Sequence, residues 1–125
     1  MKKNFLASSI ACIFLFIACT KNTPLKDGEI LIRIQNSTTN NFQSLVAAEK
    51  EFGSINAGAV TNYQSFEKVI AYPGANFVMA GDTVYAGIGY CGTPPLPYLE
   101  SGRYTLQIFY DNLLYAHYNA RYIKE

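Results

Sequence analysis

YTLQIFYDNLLYAHY, residues 104–118, is the stretch of sequence that most clearly predicts the fold. Every second residue from 104 to 110 is apolar or aromatic, and this period of two is typical of a β-strand with one buried face. Asp111-Asn112 is a turn-forming pair, so we predict that the chain folds back there into a second strand. The residues that then lie opposite each other are Leu106 and His117, Ile108 and Tyr115, and Tyr110 and Leu113.

Short alternating runs separated by turn residues extend upstream from this pair to Glu29. Ile30, Ile32 and Ile34 form the apolar face of a first strand, which ends at the turn-prone run 36–41. Residues 47–51 allow a single helical turn as an alternative to a strand. Further strands are predicted over residues 42–47, 52–55, 60–66, 77–80 and 83–88.

Three connections have sequences that suit particular turns. Asn56-Ala57-Gly58 predicts a hairpin-like bend in which Gly58 takes a positive φ. Gly81-Asp82 has the glycine-first order of a type II′ hairpin turn. Residues 90–97 contain three prolines, which cannot donate to a sheet ladder, so an extended surface crossing is expected there.

Residues 29–125 therefore predict an all-β fold: an antiparallel β-sandwich of seven to eight strands, immunoglobulin- or transthyretin-like. A small barrel is the alternative. The antibody-type pin of a tryptophan and a cysteine pair is not available, because the chain has no tryptophan. Cys12 lies in the N-terminal apolar run and Cys19 is expected to carry lipid, so Cys91 is left alone and no intrachain disulfide is expected.

The N-terminus has the features of an export signal. Two lysines precede an apolar run over residues 5–18, which is shorter than the roughly 20 residues that a membrane-spanning helix needs. Ala18 is small enough for a peptidase to approach the backbone, and the thiol of Cys19 can accept a diacylglyceryl group. LFIAC, residues 15–19, resembles the processing site of bacterial lipoprotein signal peptides, with Phe16 where leucine is usual. An ordinary secretory signal with Cys19 as a bystander is the alternative.

The expected organisation is a lipoprotein signal peptide over residues 1–18, the lipidated Cys19 with a polar tether over residues 19–28, and one β-sandwich domain over residues 29–125. Thr20 follows Cys19 where an aspartate would resemble an inner-membrane retention signal. We therefore expect an outer-membrane protein, lipid-anchored and facing the periplasm. Its charges nearly balance once Lys2 and Lys3 are removed, so no nucleic-acid partner is expected.

The motifs that could carry chemistry lack the context that they need. GIGYCG, residues 87–92, matches the dinucleotide-binding fingerprint, but Thr93-Pro94-Pro95 follows where a helix should begin. Cys91 and His117 are the candidates for a thiol nucleophile and its base, and nothing in the sequence places them together. One histidine with scattered carboxylates such as Glu49 and Glu51 is too few ligands for a zinc site. We therefore expect no enzyme activity, no metal and no cofactor.

The ten tyrosines, all at or after Tyr63, are the compositional feature that suggests binding. Where isoleucine, leucine and phenylalanine fill the core, some phenol rings must remain exposed, and such rings suit contact with saccharides or peptides. The alternative is a scaffold role, since tyrosine is a good strand former. The candidate binding residues are Tyr90, Tyr98, Tyr115, Tyr118 and Tyr122.

Three stretches carry a resemblance: Ile32-Arg33-Ile34 followed by Asn36; Phe52-Gly53, Ile55, Ala57-Gly58, Thr61, Tyr63 and Phe66; and Leu99 with Gly102-Arg103-Tyr104-Thr105-Leu106. In this order, behind such a signal, they are similar to small lipoproteins of Bacteroidota. The resemblance implies a β-sandwich and brings no activity with it, so no functional residue is carried over.

The function expected from the sequence is that of a lipid-anchored, non-enzymatic cell-envelope protein, an accessory or scaffold subunit. Its partners would be the membrane, through the lipid on Cys19, and other envelope proteins or saccharides. The alternative is a saccharide- or peptide-binding module that uses exposed tyrosines. A binder needs a groove lined by tyrosines, a subunit needs an apolar patch or an unprotected strand edge, and an enzyme needs Cys91 or His117 in a cleft.

Overall fold

A computed structural model describes residues 24–87, 96–113 and 116–125. These parts of the chain contain no helix long and apolar enough to cross a membrane. Their regular structure is a series of strands, each rich in β-branched and aromatic residues. The strands are β1 (Ile30–Asn36), β2 (Phe42–Ala47), β3 (Lys50–Ile55), β4 (Gln64–Phe66), β5 (Gly74–Met79), β6 (Asp82–Gly87), β7 (Gly102–Asp111) and β8 (His117–Lys124).

The strands form a sandwich of two open four-stranded sheets, in the orders β4-β1-β7-β8 and β3-β2-β5-β6. The predicted all-β sandwich is confirmed, and the barrel alternative is wrong because the sheets remain separate. All neighbouring strands are antiparallel except β1 and β7, which run parallel. In the immunoglobulin order the first two strands share a sheet. Here β1 and β2 lie in different sheets. Of the two sandwich types that the sequence suggested, the immunoglobulin type is therefore excluded and the transthyretin type is left.

The core lies between the sheets and is built from alternate residues of each strand. Ile32 and Ile34 of β1 are fully buried, as the first predicted strand requires. The rings of Phe42 and Phe77, from neighbouring strands of the other sheet, stack with centroids 3.9 Å apart. Burial of each such side chain contributes roughly 1.5–3 kcal/mol, which makes this apolar layer the main source of stability.

The bend at residues 56–58 crosses from one sheet to the other. Gly58 has the predicted positive φ, 76°, but the predicted hairpin is wrong, because the chain after the bend joins β1 rather than β3. Val60 bridges to Gln35, and only β4 remains of the predicted strand 60–66. The N–H of Gly58 donates to the carbonyl of Asn36 at 2.8 Å, so the bend is bonded to the end of β1.

Two hairpins have turns different from the predicted ones. Ala48 and Glu49 connect β2 to β3 with φ values of 48° and 66°, so the helical-turn alternative is wrong. Ala80 and Gly81 connect β5 to β6 with φ values of 50° and 83°, which moves the predicted Gly81-Asp82 turn one residue back. Two consecutive positive φ values define a type I′ turn, whose twist matches that of the paired strands.

The predicted pairing between β7 and β8 is wrong. Tyr110 lies opposite Tyr118 and Ile108 opposite Ala120, with Asp111 and His117 closing the ladder. The carboxylate of Asp111 accepts the N–H of Leu113 at 3.0 Å, a local turn that prevents a two-residue hairpin. The pairing shifts by an odd number of residues, and because side chains alternate along a strand, the even-numbered residues of β8 face the core.

Residues 90–95 of the predicted proline crossing lie outside the described residues. Its described end contacts the segment before β5. Tyr98 forms an isolated antiparallel bridge with Ile70, and the carbonyl of Pro97 accepts the N–H of Ala71 at 2.9 Å.

Candidate functional site

A groove of about 700 Å³ lies at the end of the sandwich where β1, β5 and β7 finish and β8 starts. We call it the distal groove. Its lining is the β1–β2 loop, residues 37–40, together with Met79, Phe109, Tyr110 and Tyr118. A binding role requires a groove lined by tyrosines, and Tyr110 and Tyr118 line this one.

The loop of the distal groove is held by the buried side chain of Asn36. Its amide Nδ2 donates to the carbonyls of Asn40, at 2.8 Å, and Ile55, at 3.2 Å. Its Oδ1 accepts the backbone N–H of Thr38 at 3.1 Å and the hydroxyl of Thr38 at 2.7 Å. Asn36 is fully buried, so these four bonds replace the water that a buried amide loses.

Tyr118 forms a fixed wall of the groove. Its hydroxyl accepts a hydrogen bond from Nδ2 of Asn40 at 2.9 Å and donates to the sulfur of Met79 at 3.3 Å. Its ring meets the rings of Phe42 and Phe77 edge to face, with centroids 6.0 and 5.6 Å apart. This edge-to-face geometry is the favoured one for aromatic pairs, so Tyr118 is anchored in the core at one side and faces the groove at the other.

Tyr110 is the aromatic side chain that the groove presents. It is 49% exposed, and its ring lies 5.1 Å from that of Tyr118, its cross-strand partner. Within the described residues its hydroxyl makes no hydrogen bond. The ring and the hydroxyl are therefore available to a ligand.

The groove and the predicted tether lie at opposite ends of β1. Residues 24–28 are exposed and precede Ile30, which lies beside Gly102 at the start of β7. The groove loop begins at Ser37, whose N–H donates to the carbonyl of Ile108 near the end of β7. Seven strand residues separate the two ends by about 20 Å.

The charges are distributed unevenly between these ends. The side chains that line the distal groove carry no formal charge. Asp111 follows Tyr110 in β7, and Asp82 lies opposite Met79 across the β5–β6 pair. The guanidinium of Arg121 stacks on the outer side of Phe109, 5.1 Å from the ring centroid. The four lysines that the structure describes lie toward the tether end: Lys26, Lys50, Lys68 and Lys124.

A second groove, of about 410 Å³, lies toward the tether end of the sandwich. Tyr72, Tyr85 and Tyr122 line it with Val69 and Ile70. Burial raises the pKa of Tyr122 to about 12, and its ring meets the edge of Tyr104 at 6.1 Å. Tyr122 is thus a packed core residue with one side at this groove.

An ion-pair cluster lies on the outer face of the β4-β1-β7-β8 sheet. Arg33 contacts the carboxylate of Glu125 at 2.8 Å, and the hydroxyls of Thr105 and Tyr63 donate to the same carboxylate. Burial alone would raise the pKa of Glu125, but these hydrogen bonds and the charge of Arg33 outweigh it, so the pKa is lowered. Burial, followed by the bond to Glu125, raises the pKa of Tyr63. The cluster fastens the last strand to β1 and β7.

The structure separates the tyrosines that the sequence singled out. Tyr118 lines the distal groove and Tyr122 lines the second one, whereas Tyr98 is exposed elsewhere beneath the ammonium of Lys68. Tyr90 and Tyr115 lie outside the described residues. Sequence reasoning missed Tyr110, because its position in the alternation predicted a buried residue. Tyr110 lies next to the end of β7, close to the turn, where side chains are less completely covered. This position is the signal that could have identified it.

The other candidate residues are also distributed over the molecule. His117 is exposed at the start of β8, while Cys19 and Cys91 lie outside the described residues. Glu49 lies in a turn and Glu51 in β3, and the described residues contain no group of three or more potential metal ligands.

Of the fingerprint over residues 87–92, only Gly87 is described. It ends β6 with a φ of 132°, and a Cβ there would lie 2.4 Å from the carbonyl oxygen of Pro73. Such a contact is impossible for a real side chain, so the close approach of the two backbones requires glycine at this position.

No protein-family model matches the chain, and no curated protein and no solved structure matches it either.

Proposed function

We propose that the chain is a lipid-anchored, non-enzymatic protein of the cell envelope that binds a ligand at the end of its β-sandwich. Acyl chains on Cys19 would hold it in the outer membrane, facing the periplasm. The processing motif over residues 15–19 and the polar, exposed residues that precede β1 support the anchor.

The position of the distal groove at the far end of β1 from the tether carries this proposal. A chain anchored before β1 turns the opposite end of the sandwich, about 20 Å away, toward the periplasm. Tyr110 and Tyr118 are at that end. An anchored molecule with this arrangement presents its groove to the solvent rather than to the lipid.

The chemistry of the groove supports binding rather than catalysis. Its polar groups are hydroxyls, an amide and a thioether, and the described lining has no histidine, carboxylate, cysteine or lysine side chain. A general acid or base needs a titratable group within hydrogen-bond reach of its substrate. The described lining therefore offers contacts that orient a ligand and lacks the histidine or carboxylate that most often transfers protons.

The strand edges favour binding at the groove over assembly by strand addition. β4 has three residues, and β3 begins with the charged pair Lys50-Glu51. On β8 the side chain of Asn119 accepts the N–H of Ala120 at 2.8 Å. Short edge strands and charged side chains are among the means by which proteins prevent edge pairing.

The anchor is tested by the Cys19→Ser variant, with Cys12→Ser as the matched control within the same signal. We expect Cys19→Ser to remain as an unprocessed precursor without lipid, because a hydroxyl is a much poorer nucleophile than a thiolate. Cys12→Ser should be acylated and processed like the wild type. Mass spectrometry of the membrane fraction reads both results. An unmodified wild-type chain that begins at a residue other than Cys19 would contradict the proposal.

A further inference from the structure

We propose that the ligand of the distal groove is a neutral saccharide chain. This inference rests on the binding role proposed above and adds the chemical class of the ligand. It is carried by the lining of the groove, which combines an available aromatic ring with uncharged hydrogen-bonding groups.

Tyr110 supplies the apolar platform. A pyranose ring has one face of C–H groups, and the negative face of an aromatic ring attracts such weakly positive hydrogens. Tyr110 is half exposed and is held in place by its contact with Tyr118, 5.1 Å between ring centroids. The platform is therefore rigid before the ligand arrives, which lowers the entropy cost of binding.

The β1–β2 loop supplies the polar contacts that sugar hydroxyls need. Within the described residues, Oδ1 of Asn40 and the hydroxyl of Thr39 have no hydrogen-bond partner. Ser37 accepts a bond from Nε2 of Gln107 at 2.9 Å, which leaves its own O–H free to donate. The loop thus offers both donors and acceptors, and a sugar hydroxyl can pair with either.

The groove lacks the cationic lining that favours anionic ligands. It is lined by no lysine or arginine, and Arg121, whose guanidinium stacks on Phe109, is bonded to Oε1 of Gln107 at 2.6 Å. Phosphates and acidic sugars are bound best by cationic side chains or clustered N–H donors. A neutral glycan needs no such groups.

The β1–β2 loop is also pre-organised for binding. Asn36 holds it with four hydrogen bonds from a fully buried position, and Nδ2 of Asn40 is bonded to Tyr118. A site whose polar groups are already positioned loses little freedom when a ligand binds.

The test measures binding of the full, acylated chain in detergent to maltohexaose, cellohexaose and chitohexaose, with the acidic hexagalacturonate as a charged probe. Isothermal titration gives the affinities. Tyr110→Ala removes the platform, and Thr39→Arg fills the groove from the exposed loop. Tyr85→Ala is the matched control, since Tyr85 is 51% exposed and lies outside the distal groove.

We expect at least one neutral hexaose to bind. Tyr110→Ala and Thr39→Arg should each weaken that binding about tenfold or more, while Tyr85→Ala changes it by less than about twofold. Tyr110→Phe should retain most of the affinity, because it keeps the ring. Circular dichroism checks that each variant is folded.

The inference is overturned if none of the neutral probes binds, if only hexagalacturonate binds, or if Tyr85→Ala weakens binding as much as Tyr110→Ala does. None of these results touches the lipid anchor, whose test is the processing of Cys19. Tight binding of an envelope polypeptide at the same groove would leave the proposed binding role in place and replace the ligand class.

Discussion

At the scale of single residues, Asn36 contributes more than its place in a turn-prone run indicates. It is fully buried at the end of β1, and its side chain and backbone connect the groove loop, the end of β3 and the bend at Gly58. The sequence predicts that a turn begins there, because asparagine is common in turns. The number of partners of one amide depends on segments that are distant in sequence, so it could not be read from the local pattern.

Asn36→Ala should lower the free energy of unfolding by about 2–3 kcal/mol, because it removes the four hydrogen bonds of a fully buried amide, including the buried one to the carbonyl of Ile55. Urea denaturation measures the change. Asn62→Ala, on an exposed loop residue, is the control and should cost no more than about 0.5 kcal/mol. Equal costs for the two variants would contradict the role given to Asn36.

Glu125 should make the stability depend on acid pH. Its pKa is lowered from 4.5 in the folded chain, so its contribution is complete above about 4.5 and is lost as the pH falls through the lowered value. The side chain is 31% exposed, and screening by solvent limits the contribution to about 1 kcal/mol at most. Glu125→Gln should therefore differ from the wild type in urea midpoint at pH 7 and approach it as the pH falls below the lowered pKa.

Glu100→Gln is the control for this experiment, since within the described part of the chain the side chain of Glu100 makes one exposed contact, 3.4 Å to Lys124. It should differ little from the wild type at pH 7. If Glu125→Gln and Glu100→Gln gave the same difference at both pH values, the cluster around Arg33 would not stabilise the fold.

At the scale of elements, the period of hydrophobic residues identifies the strands better than it identifies their partners. Predicted residues 42–47 coincide with β2, and the first strand with β1. The same period does not determine the length of the turn in the last hairpin. A loop that is longer by an odd number of residues keeps both strands but turns the other set of side chains of one strand toward the core. Leu113, predicted opposite Tyr110, is 88% exposed as a result.

The pairing of β7 with β8 is tested by engineered disulfides in a Cys91→Ser background. Gln107 and Arg121 are outward-facing partners whose side chains meet at 2.6 Å. The variant Gln107→Cys/Arg121→Cys should form a disulfide on mild oxidation, since directly opposite Cα atoms lie within the allowed range.

Gln107→Cys/Ala116→Cys is the matched control, because a two-residue turn at Asp111-Asn112 would place those two residues opposite each other. It should stay reduced within the monomer. Formation of this second disulfide in place of the first would show that the predicted hairpin, and not the observed one, is correct. Mass spectrometry after alkylation distinguishes the two results.

At the scale of the whole molecule, the sequence predicts the sandwich but not its connectivity. Alternation shows which residues face the core, whereas the parallel pairing of β1 with β7 joins segments more than 60 residues apart that no local signal connects. The candidate site could not be predicted in full for the same reason, because it depends on segments that are distant in sequence. Tyr118 was named from the sequence, but the groove exists because the β1–β2 loop and the ends of β5, β7 and β8 meet in space.

The separation of anchor and groove is the central claim, and it is measured most directly by depth-dependent fluorescence quenching. The full acylated chain, as Cys91→Ser with either Asp27→Cys or Thr39→Cys, is labelled on the new thiol and inserted in phosphatidylethanolamine–phosphatidylglycerol vesicles that contain a quencher on the lipid headgroup. Chains that begin at Lys21, and so lack the signal peptide, Cys12 and Cys19, give the background.

We expect strong quenching of the label at residue 27, which belongs to the tether, and near-background quenching at residue 39, which lies in the groove loop about 20 Å further along β1. Equal quenching at the two positions, or stronger quenching at residue 39, would mean that the groove faces the membrane and would contradict the account.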